Sequence, residues 1–194
     1  MKKILIIQGH PDGKQQHFGH VIGQKYTSAA EDAGHSVRHV FVANLDFPLM
    51  SSEDEFKQGE PSTDISIAQK DIRWADHVVI IYPLWLGTMP AMLKGFFEQV
   101  FRPGFATTEA KSGIGFKRLL KGKSARIVVT MGMPATFYKW FFRQHSVKNL
   151  KRNILSFCGF KPIKTTLIGQ VYADREDHLS AALSNISRLG RHAL

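Results

Sequence analysis

Five short runs of apolar, largely β-branched residues recur along the chain. Their apolarity is continuous rather than alternating, which is typical of parallel strands covered on both faces. A typical run is HVVIIYP, which ends at Pro83. We predict strands at residues 3–8, 36–42, 77–83, 125–131 and 163–171.

Between these runs, apolar residues recur at spacings of three and four, which is the pattern of one helix face. In the first such stretch Val21, Ile22 and Tyr26 share a face, and Gly34 suits the helix end. A later stretch opens at Pro90, a residue that suits the first helical turn. We predict helices at residues 18–33, 64–74, 91–101, 137–157 and 176–189.

The alternation of strands and helices predicts an α/β fold with right-handed crossovers. The common five-strand solution is a flavodoxin-like, doubly wound three-layer sandwich with a parallel sheet in the order 2-1-3-4-5. Residues 44–63 and 102–123 are expected to be long loops, which are usually functional in a compact domain. No repeat or linker interrupts the pattern, so we predict a single domain over residues 1–194.

Composition narrows the class of protein. Hydrophobic residues make up 43% and charged residues 22% of the chain, as in globular proteins. No apolar run approaches the length of a membrane span, and the apolar N-terminal stretch is too short for a signal peptide. The single cysteine, Cys158, predicts a small buried residue, no internal disulfide and a cytoplasmic location.

The formal net charge of +10 is compatible with several anionic partners. Nucleic acid, an anionic membrane surface and phosphorylated ligands all fit this sign, and so does a surface that only confers solubility. Residues 111–126 are densely basic but contain no interleaved aromatic platform and no nucleic-acid motif. We therefore predict no nucleic-acid binding, although an anionic dinucleotide would be attracted to this surface.

The loop after the first strand, QGHPDGKQQHFGH, leads directly into a helix N-terminus, which suits a phosphate or diphosphate. It matches neither the P-loop pattern nor GxGxxG. His10, Lys14, Gln16 and His17 are candidate donors to anionic oxygens. Three histidines lie here, but no carboxylate or cysteine completes a ligand set of familiar spacing, so no metal site is predicted.

The loops after the third and fourth strands contain aromatic residues and glycine. In PLWLG, the backbone amides of residues 84–87 are expected to be free, and Trp85 and Leu86 can pack on a flat ligand. The same loop would equally suit a subunit interface. In TMGMPATFY, Gly132 permits a close backbone approach, while Tyr138 and, further on, His145 are candidate proton donors.

Taken together, the segments HPD, HFGH, YPLWLGTMPAMLKGFFEQVFRPGFA, TMGMPATFY and FCGF resemble the NAD(P)H:quinone oxidoreductase family of flavodoxin-fold flavoproteins, the DT-diaphorase type. The resemblance extends from the first strand to the last. It implies hydride transfer from NADPH or NADH through a bound flavin to a quinone or similar acceptor. The implied flavin is FAD, with FMN left open, and the implied assembly is a homodimer.

The resemblance also implies roles for individual residues, with Tyr138 and His145 as the catalytic pair. Residues implied to bind the flavin are His10, His17, Phe18 and Gly19 at the phosphates, Pro83, Leu84, Trp85 and Leu86 at the ring, and Thr130, Gly132 and Tyr138 at its other edge.

Some positions depart from the family pattern. His17 stands where relatives have serine, and Met133 replaces a second glycine. Thr107 and Glu109 replace diaphorase tyrosines, so the substrate wall differs and a quinone is a weaker inference than a flavin.

A second function stays open at this point. Some members of the implied family are cytoplasmic regulatory flavoprotein subunits of potassium efflux systems, and a basic surface would suit a membrane-transporter partner. High turnover with free quinone would favour the enzyme, whereas co-purification with a transporter would favour the subunit. Segments 102–123 and 137–142 are the candidate contacts with a second copy of the chain.

Overall fold

The computed structural model describes residues 1–109, 115–172 and 176–194. The first half contains β1 (Lys3–Gln8), α1 (Phe18–Asp32), β2 (Ser36–Phe41), a 3₁₀ turn (Val42–Asn44), α2 (Glu53–Gln58), α3 (Thr63–Trp74), β3 (His77–Pro83) and α4 (Ala91–Val100). The second half contains β4 (Thr107–Glu109), β5 (Phe116–Arg118), β6 (Ser124–Thr130), α5 (Ala135–Trp140), α6 (His145–Asn149), a π-helical segment (Leu150–Leu155), α7 (Ser156–Cys158), β7 (Ile163–Ile168) and α8 (Glu176–Arg191).

The central sheet has five parallel strands in the order β2-β1-β3-β6-β7. This is the predicted order 2-1-3-4-5, and the flavodoxin-like fold class is confirmed. β1 pairs with β2 on one side and with β3 on the other, so the chain reverses its direction of winding at β1 and β3. The loops that follow β1, β3 and β6 therefore leave the sheet at the same edge, where ligands bind in this fold.

Alternate side chains of each strand enter two separate cores. Leu5 and Ile7 of β1 pack with buried residues of α3 and α4, whereas Ile4 and Ile6 pack with those of α1 and α8. The two cores account for the three layers. They also explain why β1 and β3 read as continuous apolar runs, since both faces of these strands are buried.

The second strand differs from this pattern because it lies at the edge of the sheet. Of the β2 residues only Val40 is fully buried, and Arg38, His39 and Phe41 are exposed. An edge strand has one neighbour and is only partly covered by helices, so its side chains need not be apolar on both faces.

The predicted continuous helix at 137–157 is wrong. The chain turns at Arg143 and Gln144, whose φ angles are 50° and 54°, and the helical path resumes at α6. The turn allows Tyr138 of α5 and Val147 of α6 to enter the same core from different directions. A straight helix could not direct both side chains into this layer.

The two predicted loops also contain short elements. Within 44–63, α2 begins where Ser52 Oγ accepts a hydrogen bond from the Glu55 N–H, a regular N-terminal cap. Within 102–123, β4 and β5 form an antiparallel pair. The predicted small buried Cys158 is confirmed, and its burial raises the pKa of the thiol to about 12.

Candidate active site

The loop between β1 and α1 gathers three imidazole rings. His10 stacks on His17 with ring centroids 3.7 Å apart, and His20 lies about the same distance from both, with centroids at 5.9 and 5.8 Å. Burial is the main cause that lowers the pKa of His10 and of His20, and the neighbouring His17 adds to it. His10 and His20 are therefore neutral near pH 7, where they can donate or accept hydrogen bonds.

The first turn of α1 is prepared for an anion. The Phe18 and Gly19 N–H groups have no hydrogen-bond partner among the described residues, and no acidic residue lies in this turn. The His17 N–H donates to His20 Nδ1 at 3.0 Å, so the helix start is held by imidazole rather than by carboxylate. Free N–H groups and the positive end of the helix dipole suit a phosphate.

The loop after β3 is a tight turn. Trp85 and Thr88 exchange backbone hydrogen bonds of 2.9 Å, and Leu86 at its tip has a φ of 46°. The Trp85 side chain is 45% exposed and the Leu86 side chain is fully exposed. An exposed apolar residue in a strained conformation is a feature of binding surfaces.

The expectation that all the amides of this turn are free is wrong in part. The Leu84 N–H donates to the Thr130 carbonyl at 2.8 Å, and the Trp85 N–H donates to Thr88. Only the Leu86 and Gly87 N–H groups lack a partner within the described ranges. The Leu84–Thr130 bond continues the pairing of β3 with β6 and so joins the two loops that were expected to hold a ring.

Aromatic contact joins the first loop to the second. The His10 and Trp85 rings meet edge to face with centroids 5.6 Å apart. The residues predicted at the phosphates and those predicted at the ring are thus brought together at one edge of the sheet. A ligand with a phosphate group and a flat apolar ring fits the free N–H groups of α1 and the exposed Trp85–Thr88 turn.

At the end of β6, next to this turn, Thr130 is buried, and Gly132 in the loop that follows is exposed. A Cβ at Gly132 would lie 3.2 Å from the Tyr172 ring, so the absence of a side chain lets the β7 loop approach. The β6 and β7 loops are joined by hydrogen bonds from Gln170 N–H to Met133 O and from Val171 N–H to Met131 O.

Of the two candidate proton donors, His145 is exposed and Tyr138 is buried. His145 is exposed at the start of α6. The Tyr138 side chain is only 1% exposed and lies in the same core as Val147 of α6. Burial is the main cause that raises the pKa of Tyr138. The position of Tyr138 at the edge of a bound ring, and a catalytic role for Tyr138 and His145, stay predictions.

Two polar residues of the site were not predicted from the sequence. Gln8 at the end of β1 is 3% exposed, donates from Nε2 to the Gly19 carbonyl, and has no partner for Oε1 among the described residues. Asp12 Oδ2 lies 2.8 Å from His17 Nε2. A sequence feature does mark Gln8, because it is the polar residue at the end of the apolar run KILIIQ, where the first loop begins.

Two clefts adjoin the α1 start. One, of about 510 Å³, lies between the β1–α1 loop and the end of β2 and includes His10, His20 and Phe41. The other, of about 430 Å³, lies between α1 and α8 and includes Phe18 and Ser180. Each is within the usual size range of small-molecule sites.

No group of three or more histidine, cysteine, aspartate or glutamate side chains in the described ranges is arranged to hold a metal ion. No helix in these ranges is long and apolar enough to cross a membrane.

Comparison with known proteins assigns the family. A family model described as "Flavodoxin-like fold" matches residues 2–189, and the chain belongs to this family. An uncharacterized NAD(P)H oxidoreductase of Haemophilus influenzae is 30% identical over 174 residues, which are 87% of this chain and 84% of that protein. The family resemblance stated from the sequence is thereby confirmed.

Two further comparisons extend over almost the whole chain. An FMN-dependent NADH:quinone oxidoreductase of Nitratidesulfovibrio vulgaris is 25% identical over 202 residues, 93% of this chain and 92% of that protein. The crystal structure of Smu.1420 from Streptococcus mutans UA159 superposes with a TM-score of 0.81 at 28% identity, covering 98% of this chain and 99% of that one.

Proposed function

We infer that the protein is a flavin-dependent NAD(P)H oxidoreductase that passes electrons to a quinone or a similar acceptor. The observation that carries this inference is the meeting of a phosphate-ready helix start with an exposed aromatic turn, joined by the 5.6 Å contact of His10 with Trp85. The names of the relatives from Haemophilus influenzae and Nitratidesulfovibrio vulgaris support the same class of reaction.

The residues of this chain would hold the flavin at three places. The Phe18 and Gly19 N–H groups, with His10 and His17, would bind the phosphates. Pro83, Leu84, Trp85 and Leu86 would lie along the ring, and Thr130 and Gly132 would lie at its other edge. When bound, the flavin would supply the redox chemistry, accepting a hydride from NAD(P)H and passing both electrons to the acceptor.

The protein's own contribution is orientation and proton supply. The free Leu86 and Gly87 N–H groups can donate to acceptor atoms on the ring edge, where negative charge develops on reduction. We propose His145 as the proton donor that exchanges with solvent, because it is exposed. Tyr138, whose side chain is buried, is proposed to take part in proton supply from the core side of the loops.

The form of the flavin is proposed as FAD, with FMN as the second candidate. The cleft between α1 and α8 begins at Phe18, next to the proposed phosphate site, and its volume is sufficient for an adenosine. FMN is the second candidate because the relative from Nitratidesulfovibrio vulgaris is named FMN-dependent. The proposed electron donor is NADPH or NADH, which the spectral experiment below distinguishes.

We also propose a homodimer located in the cytoplasm. Exposed Phe137, Trp140 and Phe141 form an apolar surface beside the site, and burial against a second copy would remove it from water. The cytoplasmic location rests on the single cysteine.

The testing experiment is a visible absorption spectrum of the purified protein before and after addition of FAD or FMN, followed by anaerobic NADPH or NADH. Flavin bands that bleach with one nicotinamide nucleotide, and return when a quinone is added, are the expected result. A chain that retains neither flavin would contradict the proposed function. Bleaching without turnover of free quinone would favour the regulatory subunit instead.

A further inference from the structure

Four hydroxyl groups lie together directly behind the Trp85–Thr88 turn. Tyr82 is near the end of β3, Thr88 closes the turn, Tyr138 is in α5 and Ser146 is in α6. Thr88 Oγ1 donates to Ser146 Oγ at 3.3 Å. Tyr82, Tyr138 and Ser146 are all buried, so this hydroxyl cluster (Tyr82, Thr88, Tyr138 and Ser146) connects the turn to the core beneath it.

The hydroxyls of the two buried tyrosines in the cluster lack hydrogen-bond partners among the described residues. Burial raises the pKa of Tyr82 and of Tyr138. The hydroxyl of Ser146 opposes this rise at Tyr82, whereas at Tyr138 the Val147 backbone opposes it most and Ser146 next. The geometric contact of Ser146 is the hydrogen bond from Thr88, so Ser146 is the buried hydroxyl that ties the turn to the core. Buried hydroxyls without a partner, such as those of Tyr82 and Tyr138, are uncommon in native structures and call for an explanation.

Three residues other than glycine that are close in sequence to members of the hydroxyl cluster have left-handed backbone conformations. Leu86 lies in the turn with a φ of 46°, and Arg143 and Gln144, with φ of 50° and 54°, lie just before Ser146. Left-handed conformations of residues other than glycine persist only where surrounding contacts determine them. Within the part of the chain that the structure describes, Thr88–Ser146 is the one side-chain hydrogen bond made by the Trp85–Thr88 turn.

We propose that Ser146, acting through Thr88, is a positioning residue for the flavin ring. Its hydroxyl fixes the Trp85–Thr88 turn in the strained conformation that presents Trp85 and Leu86 to a flat ligand. Without this hydrogen bond the turn relaxes, and part of the binding free energy is used to reorder it. The proposal rests on the proposed function, but its first consequence concerns the protein without flavin.

That consequence is tested by hydrogen exchange on the flavin-free protein. The Trp85 and Thr88 N–H groups are bonded to each other's carbonyls and should exchange slowly. Ser146→Ala and Thr88→Val each remove a hydroxyl with little change in volume, and both should speed exchange at these amides about tenfold. Ser156→Ala in α7 is the matched control and should leave exchange unchanged. Unchanged exchange in both test variants would overturn the proposal.

Ligand binding provides the second test. Riboflavin carries the ring without the phosphate, so its Kd reports the ring site alone. Ser146→Ala and Thr88→Val should raise the Kd of riboflavin and of FMN by the same factor, about tenfold. The ratio of the two Kd values, which reports the phosphate site, should not change. Ser146→Thr keeps the hydroxyl and should restore both values.

The outcomes separate this proposal from the proposed function. If the wild-type protein binds no flavin, the proposed function fails, and the exchange experiment still decides whether Ser146 holds the turn. A lower Tm with unchanged riboflavin Kd would show a merely structural role and overturn the proposal. If Ser146→Ala does not fold, Thr88→Val decides, because Thr88 is exposed and its substitution leaves the core intact.

Discussion

His17 Nε2 lies 2.8 Å from Asp12 Oδ2, which places a carboxylate immediately before the first turn of α1. The hydrogen bond from His17 is the main cause that lowers the pKa of Asp12 below its ordinary value. Asp12 is therefore ionised at neutral pH and engages the imidazole proposed to bind the flavin phosphates. A ligand phosphate at this position competes with Asp12 for His17 and is repelled by its charge.

Asp12→Asn should tighten the binding of phosphate-bearing flavins. Removal of one negative charge beside the α1 start should lower the Kd of FMN about fivefold at low salt, and less at high salt because exposed charges are screened. Fluorescence titration with FMN and with riboflavin measures the effect, and riboflavin should show none. Asp32→Asn at the other end of α1 is the control. An equal fall in the Kd of riboflavin would show that the charge of Asp12 does not act on the flavin phosphate.

Trp85→Ala should weaken flavin binding at least tenfold. A ring that lies on Trp85 loses both buried apolar area and aromatic contact, the latter alone worth about 0.5–1.5 kcal/mol. Because Trp85 is 45% exposed, the Tm should change little. Trp74→Phe, at the end of α3 and the opposite edge of the sheet, should leave the Kd unchanged. If Trp85→Ala binds flavin as tightly as the wild type, the flavin ring does not bind at this turn.

Leu86→Asn should raise stability and lower affinity. Leu86 has a φ of 46° and is fully exposed, so asparagine, which tolerates this conformation, should recover part of the roughly 1–2 kcal/mol that a left-handed residue costs. The same change removes an apolar contact from the proposed ring site. Urea unfolding and flavin titration report the two effects. Leu119→Asn, exposed with ordinary φ, should show neither, and a loss of stability in Leu86→Asn would contradict the strain argument.

His77→Gln should flatten the acid side of the stability profile. Burial, with smaller effects of Lys2 and Arg126, lowers the pKa of His77 from 6.5 to about 3. Between these values the unfolded chain binds a proton that the folded protein does not. Stability therefore falls as the pH drops from 6.5 towards 3, by up to about 1.4 kcal/mol per pH unit.

Glutamine at position 77 can keep the hydrogen bond that Ser124 Oγ now makes with His77 Nδ1. Urea unfolding from pH 8 to pH 4 measures the slope. The exposed His192→Gln is the control and should retain the wild-type profile. A variant at position 77 with an unchanged slope would show that His77 is protonated in the folded protein.

The sequence by itself determined the sheet and the edge at which the site lies. Continuous apolar runs such as that of β3 require burial on both faces, and five strands alternating with helices leave few topologies. The adjacency of β1 and β3 follows, and with it the convergence of the loops that contain His10 and Trp85. The elements themselves follow from residues close together in the chain, and the order of the strands follows from the rules that limit α/β topologies.

The tertiary structure decided how the side chains and amides of these loops are used. The sequence predicted free amides after β3, but pairing with β6 directs the Leu84 N–H to Thr130. The local sequence placed Tyr138 on one long helix, but the turn at Arg143 and Gln144 ends α5, and Tyr138 is buried in the same core as Val147 of α6. Nothing in the local sequence marks Ser146, whose partner Thr88 is 58 positions away. Such pairings form only when two layers pack, so no local pattern can contain them.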